Sequence, residues 1–140
     1  MGAAENKNTK IIRKFLETLS TGNLEKLRPL FHEHATWKVM ATGIPGEGEH
    51  RGRDNIIDNF LAPVRGMFVE GDPKVHIDRM ICQGPFVVAE TRGLGKFKDG
   101  RQYSNRYAFV FEVKDDKIYE LREYMDSYYV STLGVAPANS

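Results

Sequence analysis

The chain has 140 residues, 20 Lys and Arg against 19 Asp and Glu, and a formal net charge of +1. That length suits one domain with its own core, and the near-balanced charge gives no electrostatic case for nucleic acid or an anionic membrane as partner. No apolar run approaches the ~18 residues of a spanning helix, the opening MGAAENKNTK lacks the apolar stretch of a secretory signal, and the single Cys82 excludes an intramolecular disulfide, so the cytosol is the expected compartment.

Residues 1–7 are polar and expected to be flexible, as are 136–140. From a cap at Asn8 or Thr9, Ile11, Ile12, Phe15, Leu16 and Leu19 recur at helical spacing, and Ser20-Thr21-Gly22 ends the helix. Asn23 caps a shorter second helix with Leu24, Leu27, Leu30 and Phe31 on one stripe, broken near Pro29. Residues 35–40 alternate Trp37 and Val39 against Thr36 and Lys38 and read as a strand, followed by the Gly-rich loop ATGIPGEGEHRGR. A third helix is predicted over 54–62, with Ile56, Ile57, Phe60 and Leu61 apolar and Pro63 as its stop. Residues 74–81 start a sheet that continues as two hairpins over 86–129.

The first hairpin turns at Asp99-Gly100, two residues that tolerate positive φ. Read as a two-residue turn, it pairs Arg92 with Tyr107, Glu90 with Phe109 and Leu94 with Asn105 on one face. Such a half-apolar, half-polar face resembles a ligand pocket more than a core or a solvent face. At the second hairpin, a three-residue loop ending at Asp116 puts Glu123 opposite Phe109 and Met125 opposite Tyr107, whereas a two-residue turn puts Glu123 on the other face. Matching Phe109, Phe111 and Val113 with Tyr119 and Leu121 favours the first. The class is α+β: a curved antiparallel sheet wrapped around N-terminal helices, leaving a cone whose interior is the pocket, in a single domain 1–140.

Glu123 is then the leading catalytic candidate, because burial among Phe109 and Met125 raises a carboxyl pKa toward the range a general acid or base needs. The alternative is an exposed glutamate. Arg92 and Glu90, two apart on a strand, could orient that acid or bind an anionic oxygen, or form only a structural ion pair. Tyr107 and Asn105 are candidate donors to a developing oxyanion. Trp37, Val39, Leu94, Phe109 and Met125 complete the expected wall around a substrate. His32 and His34 are spaced HxH at a helix end without further ligands, and His76 can face either way, so no metal is expected. No phosphate loop or nucleophile elbow is present, and no cofactor is expected.

Taken in order, TGNLEKL, ETRGLG, YSNRYAFVFEV, DDKI and REYMD make the chain similar to the SnoaL-like branch of the nuclear-transport-factor-2-like, ketosteroid-isomerase-like superfamily, from about Ile11 to Val135. The resemblance implies a cone-shaped α+β barrel, a homodimer and an internal pocket. It also separates reactions. A steroid isomerase would carry Tyr where Phe15 stands, Asp where Val39 stands and an acid where Tyr107 stands. The charged set of the epoxide hydrolases falls on Glu90, Arg92 and Glu123, with the strand pair in reversed order, and their water-holding Tyr and Asn fall on Trp37 and Val39. The phenazine-biosynthesis A/B proteins are similar in the ETRGLG, YSNRY and REYM segments, and their catalytic glutamate falls on Glu123.

The expected function is a cofactor-independent enzyme using general acid/base chemistry to isomerise, cyclise, condense or hydrate a small hydrophobic cyclic compound. A non-catalytic ligand-binding or protein-interaction module of the same fold is the alternative.

Overall fold

The computed structural model describes residues 5–134; the remaining parts of the two ends expected to be flexible lie outside the described residues. Helix α1 (Lys7–Thr21) starts two or three residues earlier than predicted, because Asn6 is the cap and its side chain accepts from the Thr9 amide at 2.8 Å. Gly22, at φ 78°, closes it. Its stripe of Ile12, Phe15, Leu16 and Leu19 is buried, and Phe15 meets Phe31 and Phe111 edge-on with centroids 5.2 and 5.5 Å away. The Ser20 hydroxyl accepts from the Val75 amide, which ties the end of α1 to the sheet.

Asn23 caps α2 (Leu24–Leu27) as expected. A 3₁₀ turn at Arg28–Leu30 takes up Pro29, and Phe31 opens strand β1 (Phe31–Val39) rather than completing a helical stripe. His32 and His34 therefore lie on a strand. Strand β2 (Gly48–Arg51) forms inside the predicted loop and pairs antiparallel with β1. The third helix runs on past Pro63 as α3 (Arg53–Asn55), a π turn (Ile56–Leu61) and α4 (Ala62–Arg65). The wider π turn, whose i−5 bonding appears in the Ala62 amide donating to Ile57 O, relieves the clash a proline ring makes with an ordinary helical turn before it.

Strands β3 (Lys74–Gln83), β4 (Phe86–Lys96), β5 (Gln102–Lys114) and β6 (Lys117–Met125) precede a last helix α5 (Ser127–Thr132). The six strands form one curved sheet in the order β2-β1-β6-β5-β4-β3, antiparallel except for β1 beside β6. The α+β class holds, but the sheet is open and does not close into a barrel.

Register decides which side chains meet. The first hairpin has a three-residue loop: Phe97 N donates to Arg101 O, Gly100 N donates to Phe97 O, and Gly100 takes φ 94°. The two-residue turn read from Asp99-Gly100 is one residue short. Thr91 therefore opposes Tyr107, Ala89 opposes Phe109 and Gly93 opposes Asn105. With a side-chain period of two, this sends Glu90, Arg92 and Leu94 to the outer face and leaves Val87, Ala89, Thr91 and Gly93 inside.

The second hairpin pairs Phe109 with Glu123 and Tyr107 with Met125, as predicted, by another route. Its turn has two residues, Asp115 and Asp116, at φ 54° and 60°. The register then shifts where Glu112 opposes Glu120 and Val113 opposes Ile118, so a bulge at Tyr119 supplies the extra residue.

A Cβ at Gly100 would meet nothing within 4 Å, so Gly100→Ala isolates the backbone cost of the positive φ. Its expected effect is a loss of about 1–2 kcal/mol in urea-denaturation stability.

Candidate functional site

Parallel pairing of β1 with β6 sets Val39 beside Glu123, and the Met40 amide donates to Glu123 O at 2.9 Å. Trp37 and Glu123 thereby share the inner face, and the indole Nε1 of Trp37 donates to Glu123 Oε1 at 2.7 Å. This is the carboxyl group's single hydrogen bond among the described residues. Trp37 is 3% exposed and wedged edge-on against Phe60 and Phe109, so its donor is fixed in place.

Two cavities meet at Glu123 and Tyr107. The first, of 110 Å³, is walled by apolar groups including Val39, Ile44, Met67, Phe68, Met125 and Val130. The second, of 90 Å³, reaches from Trp37 and Phe60 to Thr91 and Arg65. An apolar cavity of about 150 Å³ is enough to take a benzene ring, and the two cavities, which share Phe60, Val64, Pro73, Tyr107 and Glu123 in their walls, together reach that scale.

Within this wall the Glu123 carboxyl is pushed from its ordinary 4.5 up to about 7. Burial is the larger cause, and the Trp37 hydrogen bond acts against it. One bond to a charged group contributes roughly 1.5–3 kcal/mol; desolvation exceeds it here, so Glu123 holds or yields a proton near neutral pH.

Beside it, Asn105 Nδ2 donates to the Tyr103 hydroxyl, and the Tyr103 and Tyr107 hydroxyls bond to each other. If Tyr103, already an acceptor, donates onward, the Tyr107 proton is free for the cavity. Burial pushes the Tyr103 phenol up to about 12 and the Tyr107 phenol well above its ordinary value, so both stay protonated.

Of the residues read from the sequence, Trp37, Val39, Tyr107, Phe109, Met125 and Glu123 come together around the cavities. Four do not. Arg92 borders the second cavity, but its guanidinium pairs with Asp78 at 2.9 Å on the exposed outer side. Glu90 faces Arg79 at 3.5 Å, also outside, and Leu94 is half-buried on that outer face. The one-residue register difference accounts for all three. Asn105 is 2% exposed and lies behind Tyr103, positioning that tyrosine rather than facing the cavity. His76 is exposed on β3.

Sequence reasoning missed Tyr103, Thr91 and Arg65. Tyr103 was within reach, since it has the same strand parity as Asn105 and Tyr107. Thr91 was lost with the register, and Arg65 lies beyond the proline taken as a helix stop.

The sequence profile of the SnoaL-like domain family matches residues 12–121. A search of curated protein sequences returns no match. Among solved structures, an NTF2-like protein from Anabaena variabilis is 28% identical, with 89% of this chain and 94% of that one covered and a TM-score of 0.72. TerC, co-crystallised with polyporic acid, is 18% identical over 91% and 98% of the two chains with a TM-score of 0.78. A protein of ketosteroid-isomerase-like fold from Catenulispora acidiphila, in complex with trimethylamine, is 20% identical over 93% and 95% with a TM-score of 0.74.

A raised carboxyl pKa has a stability signature. Between about pH 4.5 and 7 the unfolded chain gives up the Glu123 proton while the folded chain keeps it, so folding weakens as pH rises and the loss levels off above about 7. Relative to Glu123→Gln, the wild type is expected to lose up to roughly 3 kcal/mol of stability across that window. Urea denaturation of both proteins at a series of pH values reads the difference; parallel profiles contradict it.

Proposed function

Because the chain belongs to the SnoaL-like domain family, we propose that it is a cofactor-independent enzyme in which Glu123 moves a proton on a small cyclic compound held in the joined cavities. The observation that carries this reading is the Glu123 carboxyl itself, half-buried in an apolar wall and held by one indole donor, with desolvation pushing its pKa up to about 7. The co-crystal of TerC with polyporic acid supports a small organic ligand on the same fold.

The chemistry follows from the geometry. Ionised Glu123 takes a proton from a carbon next to a carbonyl, and the C–H electron pair moves into the ring system to leave charge on the carbonyl oxygen. The Tyr107 hydroxyl, backed by Tyr103 and Asn105, donates to that oxygen. The protonated Glu123 then returns the proton at another carbon of the enolate, which completes an isomerisation; where the enolate carbon first attacks a second carbonyl of the same molecule, the proton goes to the alkoxide that forms, which completes a cyclisation. Apolar walls around Glu123 and Tyr107 desolvate both groups, which raises the pKa of each.

A second copy of the chain covering the outer sheet face belongs to the same proposal. Ile81, Phe86 and Tyr124 are 56, 43 and 40% exposed there, and equilibrium sedimentation distinguishes a dimer from a monomer.

Deuterium exchange into the α-carbons of 1-indanone and 2-tetralone, followed by NMR in D₂O, tests the proton transfer with generic carbon acids. A general base contributes about 10²–10⁴-fold, so the wild type is expected to accelerate exchange over buffer by at least the lower figure. The rate should rise with pH through about 7, where Glu123 ionises. Glu123→Gln, still folded, is expected to abolish the acceleration. Exchange that survives this substitution, or no acceleration of either ketone, overturns the reading.

A further inference from the structure

The two compartments differ in their polar groups. The first is apolar apart from Glu123, Tyr103 and Tyr107, whereas the second gathers a cation and a spare hydroxyl. Arg65, at the end of α4, reaches the second compartment half-buried, and its Nη2 donates to Pro73 O at 3.1 Å. No carboxylate contacts it among the described residues. Asp72 acts on it only through space, its own Oδ2 accepting from the Lys96 amide at 3.0 Å. Burial pulls the Arg65 guanidinium below its ordinary value, the direction of a charge short of compensation. The other nearby guanidinium, of Arg92, is engaged by Asp78.

Thr91 lies on the inner face of β4, 2% exposed, and its Oγ1 has no hydrogen-bond partner among the described residues. A buried hydroxyl left unbonded costs roughly 1–3 kcal/mol, and native sites that keep one generally meet it with something else. Thr91 opposes Tyr107 across the β4–β5 ladder, and two residues on is Gly93, where a Cβ would come 3.0 Å from Tyr107 Cε1. The bare position keeps Tyr107 in place against β4 beside the compartment. Arg65 and Thr91 both line this compartment, one bringing a cation without a carboxylate partner among the described residues and the other an unbonded hydroxyl, with Glu123 and Tyr107 at the junction, so an oxygen anion would complete the site.

We propose that the second compartment is a subsite for an anionic oxygen group, such as a carboxylate, carried by a ligand whose ring occupies the first compartment. Arg65 supplies the charge and Thr91 a hydrogen bond. The ligand class is thus an acidic, amphipathic ring compound, and its anionic group sets which ring atom faces Glu123. This rests on the reading that the cavities take a small organic molecule, and it names which kind.

Benzoate and its neutral counterpart benzamide, titrated into the purified protein at pH 6 by calorimetry or NMR, test the subsite. At that pH Arg65 is charged and Glu123 is mostly protonated, so neither probe meets a repelling carboxylate. Benzoate is expected to bind at least about tenfold more tightly, at the low end of a charge-assisted hydrogen bond. Arg65→Met should remove that preference and leave benzamide affinity unchanged. Thr91→Val, nearly isosteric, should weaken benzoate severalfold while raising the melting temperature, because it deletes a hydroxyl unbonded in the free protein. If Arg65→Met does not fold, the wild-type preference and the Thr91→Val pair still decide. Equal binding of the two probes, or a preference unmoved by the substitutions, overturns the subsite and leaves the small-molecule reading standing. Failure of both probes to bind at millimolar concentration overturns both.

Discussion

A carboxyl group on the inside of a folded chain must either find partners for its charge or keep its proton, and the site turns on which of these Glu123 does. Its only donor among the described residues is the Trp37 indole, which lowers the cost of ionisation without cancelling it. A salt bridge would have settled the matter toward a permanent anion, and a second carboxylate would have pushed the proton further on. One neutral donor in an apolar wall leaves the group balanced near neutrality. That balance is what a residue needs in order to accept and return a proton within one reaction.

Every larger feature serves that placement. The parallel pairing of β1 with β6 brings Trp37 beside Glu123, two residues 86 positions apart in the chain. The π turn and α4 carry Phe60 and Arg65 to the wall opposite the sheet. The helix stripe of Ile12, Phe15, Leu16 and Leu19 fills the other end of the inner face, so the space left over lies at the end where Glu123 and the tyrosines are. Phe68, Phe97 and Tyr103 form a separate small cluster that closes the first compartment from below α5.

Much of this was legible in the residues, and the failures have a common cause. The α1 stripe, the Asn23 cap and the strand periodicities are local signals that the structure keeps, whereas the stripe read from Leu24 to Phe31 stops at Leu27, where a 3₁₀ turn and then β1 take over. Glu123 came out on the correct face because aligning Phe111 with Leu121 constrains the register whatever the turn contains. The first hairpin offered no such check. Asp99-Gly100 suits a two-residue turn and also the end of a three-residue one, since both need Gly at positive φ, and one residue of difference sends Arg92 and Glu90 outside. Trp37 was read as wall because nothing local reports a parallel pairing between strands so far apart. Arg65 was hidden by a proline that a π turn accommodates. The ordered motifs pointed correctly to the family, while the chemistry of the second compartment depends on contacts that no short motif records.

The central claim is that Glu123 titrates near neutral pH because an apolar wall outweighs one hydrogen bond. The most direct measurement is the ¹³C chemical shift of the Glu123 side-chain carboxyl followed by NMR through a pH titration of the folded protein, assigned by its absence in Glu123→Gln. The account predicts a midpoint of about 7. A midpoint near the ordinary value of 4.5 would mean that the carboxyl is solvated or otherwise paired, and would contradict it.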